Sequence, residues 1–226
     1  MELKGRLRLI AENVPECRKI CDIGTDHAYI PIYLVKNRVC ELAVASDVKK
    51  GPIEAAQRNI CQYGLQDVIE TRLGYGLETI SPGECETAVI AGMGGILISQ
   101  ILEKSIGVAK AAELLVLQPQ NSIDILRRWL YQSGFDILDE QLTNEGEKIY
   151  GVILSKWVGK TTEIDEIYYY IGEKLIDKKD ALLDKYIAKV QRRFNKIIAG
   201  IGSDDGKKAE IDHYLRLIDA IEQIKS

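Results

Sequence analysis

The chain has 226 residues, of which 46% are hydrophobic and 28% charged. That length and apolar content allow one domain of ordinary size with an appendage, and exclude a disordered or collagenous chain. A formal net charge of -4 argues against a generic polyanion binder, so any nucleic-acid contact needs a local basic patch.

Leu3, Leu7, Ile10, Ala11 and Val14 fall at helical spacing up to Pro15, which predicts an amphipathic helix with Arg6 and Arg8 on its solvent face or one of them reaching a phosphate. This opening mixes charge with apolar residues and has no signal-peptide core. Lys19 to Tyr29 then reads as a strand, a tight glycine loop and a helix of an open α/β fold. Ligands of such folds sit outside the carboxyl ends of the strands, so Asp22 to Ala28 is the first candidate site. A dinucleotide fingerprint needs glycine where this chain has Gly24, Asp26 and Tyr29. Asp26 would repel a pyrophosphate, and Tyr29 would block close helix–strand packing. Acids suit a ligand with an amine and a sulfonium instead, such as S-adenosylmethionine (SAM). Asp22 and Asp26 would face its charged end while Gly24 lets the backbone approach. An ordinary turn with capping acids would show the same residues.

Residues 28–36 follow as a helix, with Pro31 in its first turn. Residues 39–45 form a second strand ending in Ser46-Asp47. Asp47 is placed either to accept hydrogen bonds from two ribose hydroxyls or to cap the helix that Pro52 opens and Gly64 closes. A third strand, 68–73, runs into Gly74-Tyr75-Gly76-Leu77. Those glycines admit an adenine ring; Tyr75 either stacks on it or covers the loop. The fourth strand, 87–91, runs into Gly92-Met93-Gly94-Gly95, read as the floor of a substrate pocket, and a helix over 96–104. The fifth, 114–117, ends in Gln118-Pro119-Gln120-Asn121. The amides of Gln118 and Asn121 suit the edge of a base; alternatively Asn121 or Ser122 caps a helix over 123–131. Strands 135–141 and 149–157 close a hairpin through Asn144 to Glu147. Seven strands ending in an antiparallel hairpin is the α/β layout of a class I SAM-dependent methyltransferase, a Rossmann-like fold, here over residues 1–159.

Composition shifts near Gly159. Leu183, Ile187, Val190, Phe194, Ile197 and Ile201 make a coiled-coil seam. Residues 200–206 read as a turn, and Ile211, Leu215, Ile218, Ile221 and Ile224 make a second stripe. The expectation is an α-helical, coiled-coil-like hairpin over 160–226, its two helices packing on each other or also on the segment Ile164 to Leu175. Its Lys185, Lys189, Arg192, Arg193 and Lys196 form a basic run without acids, either a solvated face or a phosphate-contacting one. Five cysteines, no C-x-x-C and two histidines suggest neither a metal site nor disulfides, but inert thiols in a reducing cytoplasm. No apolar run approaches the ~20 residues of a membrane span.

The segments Cys21 to Tyr29, Asp47, Gly74-Tyr75-Gly76-Leu77, Ala91 to Gly95 and Leu117-Gln118-Pro119-Gln120 resemble the bacterial TrmK family. The resemblance covers the whole chain. It implies SAM-dependent methylation of N1 of adenine 22 in tRNA, by a methyltransferase domain with a helical C-terminal region that grips tRNA. The expected cofactor residues are Asp22, Gly24, Asp26, Asp47, Gly74, Tyr75, Gly76, Gly92 and Met93. Tyr75 departs from the acid that many methyltransferases carry near the adenine. Because the fourth strand ends in glycines without an acid, Asp26 and then His27 are the catalytic candidates, His27 being equally readable as a structural hydrogen-bonder. Tyr29, Gln118, Asn121, Lys189, Arg192 and Arg193 are the substrate-binding candidates. The expected state is a monomer or weak dimer without a metal.

Overall fold

The computed structural model describes residues 1–202 and 205–225. Its strands are β1 (Cys17–Ile23), β2 (Cys40–Asp47), β3 (Ile69–Leu73), β4 (Thr87–Met93), β5 (Leu114–Pro119), β6 (Phe135–Glu145) and β7 (Lys148–Trp157). They form one sheet in the order β3-β2-β1-β4-β5-β7-β6. β1 to β5 run parallel, and β7 lies antiparallel between β5 and β6. Central strands are apolar on both faces, as a sheet covered on both sides requires. Val89 and Val116 enter one core with Ile10, Ile20 and Ile32. Their neighbours Ile90 and Leu117 enter the other, with Leu102, Leu126 and Phe135.

Helices α1 (Gly5–Glu12), α2 (Tyr29–Lys36) and α3 (Lys50–Gln62) alternate with the first strands. Helices α4 (Gly95–Lys104), α5 (Ile106–Ala111) and α6 (Ile123–Gln132) follow, and a 3-10 turn spans Gly76–Thr79. Neither α5 nor that turn is signalled by the sequence pattern, since each is too short to show a period. No helix among the described residues is long and apolar enough to cross a membrane.

Helices α7 (Glu166–Ile171), α8 (Glu173–Asp177), α9 (Leu183–Ile201) and α10 (Lys208–Lys225) build a third core with Leu142 of β6. Ile187, Val190 and Phe194 of the expected α9 seam are buried in it. The stripe on α10 is corrected: Leu217 and Ile221 are buried, whereas Leu215 is 46% exposed. α10 packs against α7 as well as α9, so two neighbours set its buried face. α9 runs on to Ile201, into the segment read as a turn; Ser203 and Asp204 of that segment lie outside the described residues.

One buried ion pair joins the sheet to these helices. Arg127 of α6 donates from Nε to Glu140 Oε1 of β6 at 2.7 Å, with side chains 1% and 2% exposed. Nη1 donates to Tyr169 O and Tyr170 O at 2.8 and 3.0 Å, and Nη2 to Ile171 O at 3.2 Å. These are carbonyls at the end of α7, which have no partner within the helix and face a cation favourably. Gly172 follows with φ +92°, and a Cβ there would collide with Glu140 Oε2. Only glycine lets the end of α7 come this close.

Candidate active site

The carboxyl ends of β1, β2 and β4 open into a cleft of about 470 Å³. Asp22, Gly24, Asp26, His27, Tyr29, Asp47, Gly92 and Met93 line it, together with Arg6, Leu7, Thr25, Ile30 and Ala91. Asp22 is the penultimate residue of β1 and 5% exposed. Burial pushes its carboxyl up to about 6; a hydrogen bond from Thr25 opposes the shift, and the Asp47 charge adds to it. Thr25 Oγ1 in turn accepts the Ala28 N–H at 3.1 Å, which locks the loop. Gly24 and Thr25 N–H both donate to Ser46 O, at 2.8 and 2.9 Å, so the β1 loop is stitched to the end of β2. Gly24 has φ +78°, and a Cβ there would collide with Met93 Cε. The side chain of Met93 thus covers the one spot where the chain has none.

Asp47 ends β2, and its Oδ1 accepts the Lys49 N–H at 2.7 Å. Lys49 is itself the N-cap of α3, so this bond turns the chain ahead of the helix without capping it, and the second carboxylate oxygen is left to the cleft. Asp26 stands at the mouth with its side chain 76% exposed, its Oδ2 lying 3.3 Å from His27 Nε2. The His27 ring stacks on Tyr29, centroids 5.0 Å apart. Its carbonyl accepts from Asn59 Nδ2 at 2.9 Å.

Other expected residues stand elsewhere. Gly74 N–H donates to Asp47 O at 3.0 Å, behind the cleft. Tyr75 packs on the core with Lys104 Nζ 4.7 Å above its ring, the loop-covering arrangement. Gly76 lies against Ile101. Gly94 and Gly95 are close-packing positions and not an open floor, since a Cβ at Gly95 would collide with Ser122 O. Gln118 is a correction. It is fully buried, its Oε1 accepts from Gly92 N and Gln120 Nε2 at 3.2 and 2.9 Å, and its Nε2 donates to Pro119 O. β5 carries Gln118 inside the sheet, so its amide braces the β4 turn and offers nothing to a base. The alternative reading, a cap on α6 from Asn121 or Ser122, is not met at the N-cap: Ser122, at φ +50°, makes no side-chain cap bond. Asn121, Lys189 and Arg193 line a separate cavity, and Arg192 is exposed.

Arg6, expected on the solvent face of α1, instead lines the cleft. Its Nη1 pairs with Glu145 Oε2 at 3.1 Å, and its backbone N–H donates to Glu145 Oε1 at 2.9 Å. α1 is thereby fastened over the cleft by the β6–β7 hairpin. With that guanidinium occupied, the free charges around the cleft are acidic, which suits an ammonium and sulfonium and repels a pyrophosphate. Among the described residues, Ser46 Oγ is the buried side-chain polar atom left without a partner, and it lies beside Asp47.

Residues 3–153 match the family model described as a methyltransferase domain. The chain is 35% identical over 196 residues to the tRNA (adenine(22)-N(1))-methyltransferase of Bacillus subtilis, covering 84% of this chain and 82% of that protein. The crystal structure of the B. subtilis m1A22 tRNA methyltransferase TrmK matches with a TM-score of 0.85 at 31% identity, over 99% of this chain and 97% of the other. TrmK of M. capricolum, solved with the natural cofactor product S-adenosylhomocysteine, matches with a TM-score of 0.86 at 28% identity, over 99% and 100%. The likeness runs through the sheet and the C-terminal helices alike, and the chain belongs to the TrmK family of tRNA (adenine(22)-N1)-methyltransferases.

Proposed function

We propose that this chain transfers a methyl group from SAM to N1 of adenine 22 in tRNA. In this reading residues 1–159 carry the transfer and residues 160–226 grip the RNA, in the cytoplasm, as a monomer or weak dimer. What carries it is the convergence of Asp22, Gly24 and Asp47 on one cleft at the carboxyl ends of neighbouring strands. SAM, when bound, supplies an electrophilic methyl carbon on a sulfonium. Asp47 would accept from the ribose hydroxyls and Asp22 would face the ammonium, with Gly24 and Met93 forming the wall between.

Adenine N1 carries an in-plane lone pair that is buried when the base is paired, so the base must leave its partner. The stacked His27 and Tyr29 offer a flat surface beside the cleft on which an exposed purine can rest. Holding N1 in line with the methyl carbon supplies much of the acceleration. Methylation makes the adenine cationic, and Asp26 at the mouth is the carboxylate placed to meet that charge. Asp26→Ala is expected to lower turnover on tRNA by about 10–100-fold while the fold is retained. A variant with full turnover and unchanged SAM affinity removes Asp26 from the chemistry.

Incubation of tRNA transcripts with isotope-labelled SAM, followed by mass spectrometry of nuclease fragments, tests the function. One label on adenine 22 is expected, and none on a transcript with guanine there. Full incorporation into the guanine transcript sinks the reading.

A further inference from the structure

A second cavity, of about 320 Å³, lies between the end of β5 and α9. It stands at the same end of the sheet as the cleft. Met93 lines the cleft, Gln120 lines the cavity, and Gln120 N–H donates to Met93 O at 2.7 Å. The turns after β4 and β5 are therefore the wall the two spaces share.

Two features of the cavity call for an anion. Lys189 Nζ reaches into it and donates to Ile149 O at 3.2 Å. No carboxylate among the described residues pairs with that ammonium, and the surroundings strip its solvation enough to lower its pKa. Arg193, also in the lining, is matched: its Nη1 lies 3.1 Å from Asp124 Oδ1. The two cancel, so the acid in the first turn of α6 does not oppose a ligand, and Lys189 is the charge left over. Finally, α6 begins at this wall without a side-chain cap. The N–H groups of Ile123, Asp124 and Ile125 donate to no atom of the described residues. A helix start with open amides holds oxyanions, and an ammonium across from it completes a receptor for several oxygens.

We infer that this cavity is a nucleotide-phosphate site and, resting on the function proposed above, that it holds the phosphodiester adjoining the methylated adenosine. β4 and β5 are neighbours in the sheet, and the cavity lies across the Met93–Gln120 turns from the cleft. With the base beside the cleft, the flanking phosphate is assigned to the α6 start, next to Lys189 of α9. Tyr170, held edge-on by Phe194 at 5.0 Å between centroids, gives the sugar an apolar side. Lys189 is in this view a positioning residue that fixes where the RNA backbone enters.

Wild type, Lys189→Gln and Lys189→Arg are compared in tRNA methylation over a range of KCl concentrations. Lys189→Gln is expected to raise KM for tRNA about tenfold with kcat within about twofold, and to flatten the plot of log kcat/KM against log[KCl] by about 0.7–0.9. Lys189→Arg restores both, and SAM affinity by calorimetry is the same in all three. An unchanged salt slope in Lys189→Gln overturns the phosphodiester assignment. Titration of the wild type with adenosine 5′-monophosphate, read from the Lys189 side-chain NMR signal, separates this site from the proposed function. A saturable shift supports the anion site even in a protein inactive on tRNA, and a signal that does not move overturns it.

Discussion

Glu140→Gln is expected to lower the stability of the fold by about 3–5 kcal/mol, because it leaves the Arg127 guanidinium buried with its counter-charge gone. For a chain of this length that is a fall of roughly 10 °C in Tm. The exposed pair Arg8–Glu12, with side chains 60% and 49% exposed, is the internal control. Glu12→Gln should change stability by less than about 1 kcal/mol, since water screens that pair and solvates either partner alone. A buried pair can often be exchanged for apolar residues at little cost. Here it cannot, because Arg127 also serves Tyr169, Tyr170 and Ile171 carbonyls. Arg127→Met combined with Glu140→Leu therefore stays destabilised, with the end of α7 left unpaired. Urea or thermal melts of the four proteins decide the matter. A Glu140→Gln melt within 1 kcal/mol of wild type, at the level of the control, would mean the guanidinium has found another partner.

Asp22→Asn should abolish SAM binding at pH 7.5, by about 100-fold or more, and stabilise the empty protein. Both effects have one cause. Burial raises the Asp22 carboxyl from 3.8 to about 6. The folded state thus holds a proton that the unfolded chain has released, across the window between those values. Stability drawn from this group is present below it, is lost as pH rises through about 6, and above that the ionised carboxylate is a cost to the fold. Asparagine removes a cost of about 1–3 kcal/mol at neutral pH. The same charge is what an ammonium ligand needs, so SAM affinity of the wild type should fall about tenfold per pH unit below 6. Calorimetry across pH 5 to 8 reads the affinity and melts read the stability. An affinity flat across that range, or an Asp22→Asn protein less stable than wild type at pH 7.5, refutes the assignment.

Much of the cleft was legible because its residues announce themselves locally. Asp22 and Asp47 each end an apolar run that must be a buried strand, and Gly24 sits where a turn must reverse. Positions that depend on a second element were not legible. Gln118 looks like loop chemistry until β5 is seen to continue to Pro119 and carry the amide into the sheet. Leu215 fits a helical stripe until α7 as well as α9 claims a face of α10. Arg127 sits beside Arg128 on a helix of mixed charge, and its partners lie on β6 and α7, so nothing near it in the chain distinguishes it from a solvent-facing base. Lys189 was visible as one of a basic run. Its separate character comes from the cavity it enters, not from its neighbours in the run.

The staple at Arg127 has a mechanical consequence. One guanidinium holds the sheet and the last carbonyls of α7 together, and Gly172 allows no slack between them. In the function proposed above, that tie sets the spacing between the cleft and the far helices. A tRNA that spans the two has to conform to that spacing. Discrimination among RNAs would accordingly be paid in the work of deforming them, and a loosely paired elbow would be accepted where a stiff stem is refused.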